Sequence, residues 1–243
     1  MSTIGLTSRV EPAQQIAAKV AGFLYLFTMA ISVFSESYVR GRLIVRGDAV
    51  QTAKNIVASE RLFRISVAAD LFMIAGVVVL VWTLYVVLKP INSNVALLAA
   101  FLRLVGDSIA AATIFNSFVA LRLLSGADFL QAFDTEQMQV LARLFISGQG
   151  AGMGIAFLFL GLGSTVFSYL WFKSRYIPRA LAAWGIFSSL LLAIGTLLFV
   201  VYPGLAAVVG LVYMVPMGIY EVGLGLWLLV KGIQPPIVES MAQ

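Results

Sequence analysis

The chain has 243 residues, of which 61% are hydrophobic and only 11% are charged, and its formal net charge is +5. Because a soluble domain carries roughly a quarter charged residues, this composition indicates a protein that folds in a lipid bilayer. The sequence contains no Cys and no His, which excludes disulfides, thiol and imidazole catalysis, His-ligated haem and the usual zinc sites. We therefore expect no metal and no cofactor, and we expect the basic residues to meet membrane lipids rather than nucleic acid.

Six apolar segments are each long enough to cross a bilayer as a helix, which takes roughly 18 residues or more. The first is too long for a signal peptide and is followed by equally apolar segments, so we interpret it as an uncleaved span. The sequence thus predicts an all-α fold, a polytopic membrane helical bundle in which residues 1–243 form a single integral membrane domain. The predicted spans are 16–39, 62–88, 93–124, 135–171, 179–201 and 206–230.

The first loop, from Arg40 to Asp70, is the only long stretch in which charged, amide and apolar residues mix. Asp48 and Gln51 have the spacing of a capping box, which marks the start of a helix. Apolar residues on one face and polar residues on the others then favour a short helix, about 48–58, that lies in the membrane interface.

Basic residues predict the orientation, because they favour the cytoplasmic side of the membrane. Most of those that flank the spans fall on the side of the two termini, which we therefore expect in the cytoplasm. The first loop, which also carries several basic residues, is evidence against this orientation. The basic residues on the side of the termini are Arg9, Lys19, Lys89, Lys173, Arg175, Arg179 and Lys231.

Three stretches of the chain are informative as a set. They are Arg42-Leu43-Ile44 with Gly47-Asp48, Thr52-Ala53-Lys54-Asn55-Ile56 and Phe63-Arg64; Leu84-Tyr85-Val86-Val87-Leu88-Lys89-Pro90-Ile91-Asn92; and Lys173-Ser174-Arg175-Tyr176-Ile177-Pro178-Arg179-Ala180-Leu181. In this order they resemble the uncharacterised bacterial membrane family catalogued as domain of unknown function 4386. The resemblance covers the chain from about Lys19 to Lys231 and implies a multi-spanning protein of the bacterial inner membrane. It implies no activity, cofactor or catalytic residue.

Charged residues inside the spans are the candidate functional residues, because burying a charge in a bilayer costs a few kcal/mol or more. Arg103 and Asp107 stand four residues apart and predict an intrahelical pair, which leaves Glu221 without an obvious basic partner. Together with Asp70 and Arg143, these three form a candidate polar cavity or proton relay. The alternative is a set of interhelical ion pairs that fix the packing of the bundle.

Two further features concern packing. Glu36 and Arg64 lie near the outer surface at a depth that suits a contact with Asp70 or Arg143, so Glu36 and Arg64 are a candidate outer clasp. Alternating glycines in the fourth span have the small-xxx-small spacing that favours close helix packing. These glycines are Gly148, Gly150, Gly152 and Gly154.

Three functions stay open. The first is a binding, sensing or accessory membrane component without chemistry of its own, with a small molecule, a lipid, a second copy or another membrane protein as partner. The second is a small-molecule or proton-coupled transporter that uses the intramembrane carboxylates. The third is an intramembrane enzyme on a lipid-like substrate, although Asp128, Asp134 and Glu136 are too sparse for the paired acidic motifs of metal-dependent enzymes of this kind. We predict no catalytic residue and favour the first function.

Overall fold

The computed structural model describes residues 10–125, 133–210 and 212–234, so Arg9 and Asp128 lie outside the described residues. Within these ranges the chain is almost entirely helical. The helices are α1 (Pro12–Ser32), α2 (Gly41–Leu43), α3 (Ala49–Ala58), α4 (Glu60–Leu88), α5 (Ser93–Leu124), α6 (Thr135–Ser174), α7 (Arg179–Val201), α8 (Pro203–Val209) and α9 (Val215–Val230).

Six helical segments are long and apolar enough to cross a membrane, which confirms the predicted fold class of a polytopic helical bundle. The first of them is Pro12–Leu43, in which a π-helical segment, Val33–Arg40, joins α1 to α2 without a break. This span is longer than the predicted 16–39, because the helix begins at Pro12 and continues past Arg40 to Leu43. The other five correspond to α4, α5, α6, α7 and to α9 with the short 3₁₀ turn before it.

The six long helices form a ring in chain order, in which α9 packs back against α1. The start of α1, the end of α9 and the turns α4–α5 and α6–α7 lie on one face, here named the terminus face. The opposite face, named the loop face, carries α3. At the terminus face, the Gln14 side chain donates to the Val87 carbonyl at 3.2 Å, and the Gln234 backbone donates to the Tyr176 carbonyl at 3.0 Å. These bonds tie the ends of neighbouring helices together.

The interior has two apolar cores. The larger core fills the ring towards the terminus face and includes Leu84, Trp171 and Leu224, each of which is fully buried. The smaller core lies towards the loop face, where Ile56 of α3 and Phe63 of α4 pack together. Helix α3 therefore covers the smaller core with its apolar side.

The predicted short helix of the first loop is present as α3. Asp48 caps it, since the carboxylate accepts a hydrogen bond from the backbone N–H of Gln51 at 2.7 Å. The Asn55 side chain donates to the Leu43 carbonyl at 3.2 Å and so fixes α3 against the end of the first span.

The predicted sixth span, from residue 206, is divided. Helix α8 ends at Val209, and Gly210 has a φ of 55°, a left-handed conformation that glycine adopts at little cost. A 3₁₀ turn and α9 follow, with Pro216 in the first turn of α9. Proline is tolerated there because the first turn leaves its backbone N–H groups unpaired in any case. Pro216 therefore helps to start this helix and does not kink its middle.

Candidate functional site

Three of the predicted charges meet in the middle of the bundle. They form the Arg103 centre, which consists of Arg103 and Asp107 of α5 and Glu221 of α9. Arg103 is only 2% exposed, and its Nη1 donates to the Ser164 hydroxyl of α6 at 2.8 Å. The same nitrogen lies 3.9 Å from Oε1 of Glu221. A single guanidinium therefore connects three helices of the ring.

Glycine makes room for this arginine. A Cβ atom on Gly163 of α6 would lie 2.8 Å from Cγ of Arg103 and 2.9 Å from the Ala99 carbonyl oxygen. Similarly, a Cβ atom on Gly106 would lie 2.9 Å from the Ala156 carbonyl oxygen. Because α5 and α6 approach so closely, the stem of Arg103 lies directly across the backbone of α6.

Two tyrosines complete the surroundings of the Arg103 centre. Tyr25 of α1 is 5% exposed and Tyr220 of α9 is 2% exposed, and both lie within electrostatic range of Arg103. The hydroxyl of Ser168 donates to the hydroxyl oxygen of Tyr220 at 3.0 Å. The neighbours of the centre thus include phenol and hydroxyl groups, which carry no formal charge.

The intrahelical Arg103–Asp107 pair that the spacing allows is not formed as a direct salt bridge, although the two charges still interact along α5. The direct ion pair of Arg103 is with Glu221, because Ser164 and Glu221 hold the guanidinium on the side of α6 and α9. Asp107 is 8% exposed and its Oδ2 has no hydrogen-bond partner among the described residues, and the same holds for Nε of Arg103. Buried polar atoms without a partner are rare and need an explanation.

A second centre, the Arg40 clasp, lies towards the loop face and consists of Arg40, Glu36 and Asp70. Arg40 is 6% exposed; its Nη1 donates to Oε1 of Glu36 at 2.9 Å and its Nη2 donates to Oδ2 of Asp70. The side chain of Asp70 is 7% exposed, whereas that of Glu36 is 62% exposed. The clasp joins the π-helical end of the first span to α4.

A family model described as "Domain of unknown function (DUF4386)" matches residues 20–232. The chain belongs to the DUF4386 family. This match confirms the resemblance that the three sequence stretches indicate, and the apolar helices agree with a multi-pass membrane protein. No curated protein and no solved structure matches the chain.

The DUF4386 protein does not use Arg64 as the sequence predicts. Arg64 bonds to Glu60 of its own helix at 2.7 Å, and both side chains are about half exposed, at 53% and 49%. The predicted outer clasp therefore contains Glu36 but not Arg64. Arg40, which the sequence places in the first loop, takes the central position of the clasp. Its spacing of four residues from Glu36 is present in the sequence, but the predicted first span ends at 39 and so leaves Arg40 outside the helix.

Arg143 stands apart from both centres. It is half-buried in the part of α6 near the loop face and makes no hydrogen bond or ion pair with any described residue. Ser117 of α5 and Gln149 of α6 form a separate buried contact between their side chains. The structure thus divides the predicted polar cavity into the Arg103 centre, the Arg40 clasp and an isolated Arg143.

Across the described ranges, no group of three or more Asp or Glu residues is placed to hold a metal ion. An open cleft of about 420 Å³ lies between α5 and α6 and contains none of the predicted charges. Its lining consists of Asn116, Leu144, Phe145, Ser147, Gly148 and Ala151.

Proposed function

We propose that this DUF4386 protein is a non-enzymatic binding, sensing or accessory component of the membrane. Its intramembrane charges serve as two separate ion-pair centres and not as the lining of a transport pathway. The observation that carries the proposal is the separation of the Arg103 centre from the Arg40 clasp. No hydrogen bond or ion pair joins them within the described parts of the chain.

The separation is also one of depth. At a rise of about 1.5 Å per residue, Asp70 lies about 27 Å from the terminus-face end of α4. Glu221, Arg103 and Asp107 lie about 14, 15 and 21 Å from the corresponding ends of their helices. A transporter that relayed ions through all five predicted residues would need them along one connected cavity.

Each centre has a structural effect that suits a component without transport activity. Arg40 ties the first span to α4, and Arg103 ties α5 to α6 and α9. Removing one partner of a buried ion pair leaves an uncompensated charge and is strongly destabilising. Substituting either arginine is therefore expected to act mainly on the stability of the bundle.

We further propose that the protein lies in the bacterial cell membrane with both termini in the cytoplasm. Basic residues at the terminus-face ends of the helices support this orientation, since Lys89, Lys173, Arg179 and Lys231 are exposed there. Their side chains would contact anionic lipid headgroups. Fusing a reporter that is active only in the cytoplasm to the C-terminus tests the orientation, and an inactive but intact fusion would reverse it.

Reconstitution into vesicles tests the proposed role. We expect wild-type vesicles loaded with a pH-sensitive dye to lose an imposed proton gradient no faster than protein-free vesicles. We also expect Arg103→Gln to lower the melting temperature, while the exposed control Arg64→Gln leaves it unchanged. Faster proton flux with the wild type, abolished by Arg103→Gln at an unchanged melting temperature, would replace the proposed role by transport.

A further inference from the structure

The formal charges of the Arg103 centre do not cancel. Arg103 supplies one positive charge, and Asp107 and Glu221 supply two carboxyl groups. The groups that face them from α1, α6 and α9 are the phenols of Tyr25 and Tyr220 and the hydroxyls of Ser164 and Ser168. The charged residues of α4 and α7 are remote: those of α4 lie towards the loop face, and α7 has only Arg179, at its start. With both carboxyl groups ionised, the centre would carry a net charge of −1.

The Arg40 clasp has the same composition but a different environment. It also combines one arginine with two carboxylates, and one of these, Glu36, has a side chain that is 62% exposed. Water can therefore solvate the excess negative charge of the clasp. In the Arg103 centre, Asp107 is 8% exposed and the side chain of Glu221 is 19% exposed. An unbalanced charge at this depth in a membrane has a large desolvation cost.

The space around the Arg103 centre limits what could balance the charge. Gly163 and Gly106 bring α5 and α6 into backbone contact beside Arg103, and the neighbouring Tyr25 and Tyr220 are buried. Asp107 nevertheless keeps a buried carboxylate oxygen, Oδ2, without a partner. A group that supplies one positive charge, needs no cavity and binds to a carboxylate oxygen is a proton.

We propose that the Arg103 centre is a proton-binding site, in which Asp107 and Glu221 together hold one proton and Arg103 neutralises the other carboxylate. Binding converts one carboxylate and one proton from solution into a carboxyl group, which changes the net charge of the centre from −1 to zero. Arg103 interacts with both acids, Asp107 on its own helix and Glu221 on α9, so it can neutralise whichever of them is ionised. This inference rests on the proposed role as a sensing component and names the proton as the ligand.

Infrared spectroscopy tests the number of protons directly, because the C=O stretch of a protonated carboxyl group is distinct from the bands of carboxylates and amides. At neutral pH the wild-type protein is expected to show the signal of one buried carboxylic acid, shifted in D₂O. Asp107→Asn and Glu221→Gln should each abolish it, since Arg103 then neutralises the single remaining carboxylate. Arg103→Gln should double it, because neither acid would have a cationic partner.

Asp70→Asn is the matched control, since it removes a buried carboxylate from the Arg40 clasp and should leave the acid signal unchanged. Circular dichroism and gel filtration identify the variants that fold. If Arg103→Gln does not fold, Asp107→Asn and Glu221→Gln alone are sufficient to test the proton site. A wild-type spectrum without a buried acid, or an acid signal that survives both amide variants, would overturn the proton site. That result would leave the proposed role standing, whereas proton flux in vesicles would remove the role whatever the spectrum shows.

Discussion

At the scale of single residues, the solvent exposure of a charged side chain decides how much its ion pair contributes to the stability of the protein. Arg40 and Arg64 each form an ion pair with a glutamate four residues earlier on the same helical segment. Arg64 is about half exposed, so its pair is screened by water and contributes little. Arg40 is buried and also holds Asp70, a carboxylate that is otherwise removed from solvent. The two pairs have the same spacing in the sequence, and they differ only in how deeply the arginine is buried in the structure.

Replacing Arg40 should therefore destabilise the protein far more than replacing Arg64. We expect Arg40→Met to cost about 3–5 kcal/mol, the range for a buried ion pair that loses one partner, most of it from Asp70 because Glu36 is largely exposed. Arg64→Met should melt like the wild type. The measurement is thermal or denaturant unfolding of the purified protein in detergent.

A double variant separates the ion pair from simple packing. Arg40→Met with Asp70→Leu removes both buried charges of the pair, and replacing such a pair by apolar groups is often neutral. The double variant should recover a large part of the stability that Arg40→Met loses. Equal losses in the single and double variants would show that the stem of Arg40 matters and its charge does not.

At the scale of elements, glycines set how closely α5 and α6 approach. The sequence predicts close packing along Gly148 to Gly154, and the structure agrees only in part. A Cβ atom on Gly152 would lie 2.1 Å from Cγ2 of Thr113, whereas Gly150 and Gly154 face open space. The closest approach to Arg103 occurs at Gly163, outside the predicted pattern. Spacing along one helix cannot predict this, because the position of the partner helix decides which glycines are in contact.

Replacing Gly163 or Gly154 by alanine, which adds one methyl group, should have different effects on the stability of the protein. Gly163→Ala would place Cβ against Arg103 and the Ala99 carbonyl, and overpacking of this kind costs typically about 1–3 kcal/mol. Gly154→Ala meets nothing within 4 Å and should be neutral or stabilising, since alanine favours a helix over glycine. The melting temperatures of the two variants check this prediction, and equal values would show that α5 and α6 are further apart near Gly163.

The π-helical segment, Val33–Arg40, is another feature of an element that the sequence does not reveal. The predicted first span is a run of apolar residues, and it stops at 39 because Arg40 and Arg42 follow. Arg40 is therefore assigned to the loop. In the structure the helix continues to Leu43, and Arg40 faces Asp70 inside the bundle. One unpredicted local conformation thus accounts for the misassigned outer clasp.

At the scale of the whole molecule, the number of spans could be predicted and their arrangement could not. Length and hydropathy predict six helices, because each span must satisfy its backbone hydrogen bonds within itself. Which helices become neighbours depends on small residues that are far apart in the sequence. Gly22 of α1 and Gly225 of α9 illustrate this: a Cβ atom on Gly22 would lie 2.5 Å from the Leu229 nitrogen and 2.7 Å from the Gly225 oxygen. This close contact closes the ring.

Cross-linking can test ring closure cleanly, because the protein has no cysteine of its own. A Cβ atom on Gly225 would lie 3.0 Å from that of Tyr25, near the separation of about 3.5–4.5 Å that a disulfide needs. Tyr25→Cys with Gly225→Cys should therefore form a disulfide under mild oxidation. Tyr25→Cys with Gly223→Cys is the matched control, since Gly223 faces Leu181 of α7 instead.

A protease site inserted between residues 126 and 132 makes the cross-link visible, because cleavage separates α1 from α9. After cleavage, the two fragments of the Tyr25/Gly225 variant should migrate as one band on a non-reducing gel and as two after reduction, while those of the control separate in both cases. Separate fragments from both variants would show that α1 and α9 are not neighbours. A cross-linked species of twice the chain mass would show that the contact joins two copies, so that the first and last spans close a dimer and not a single ring.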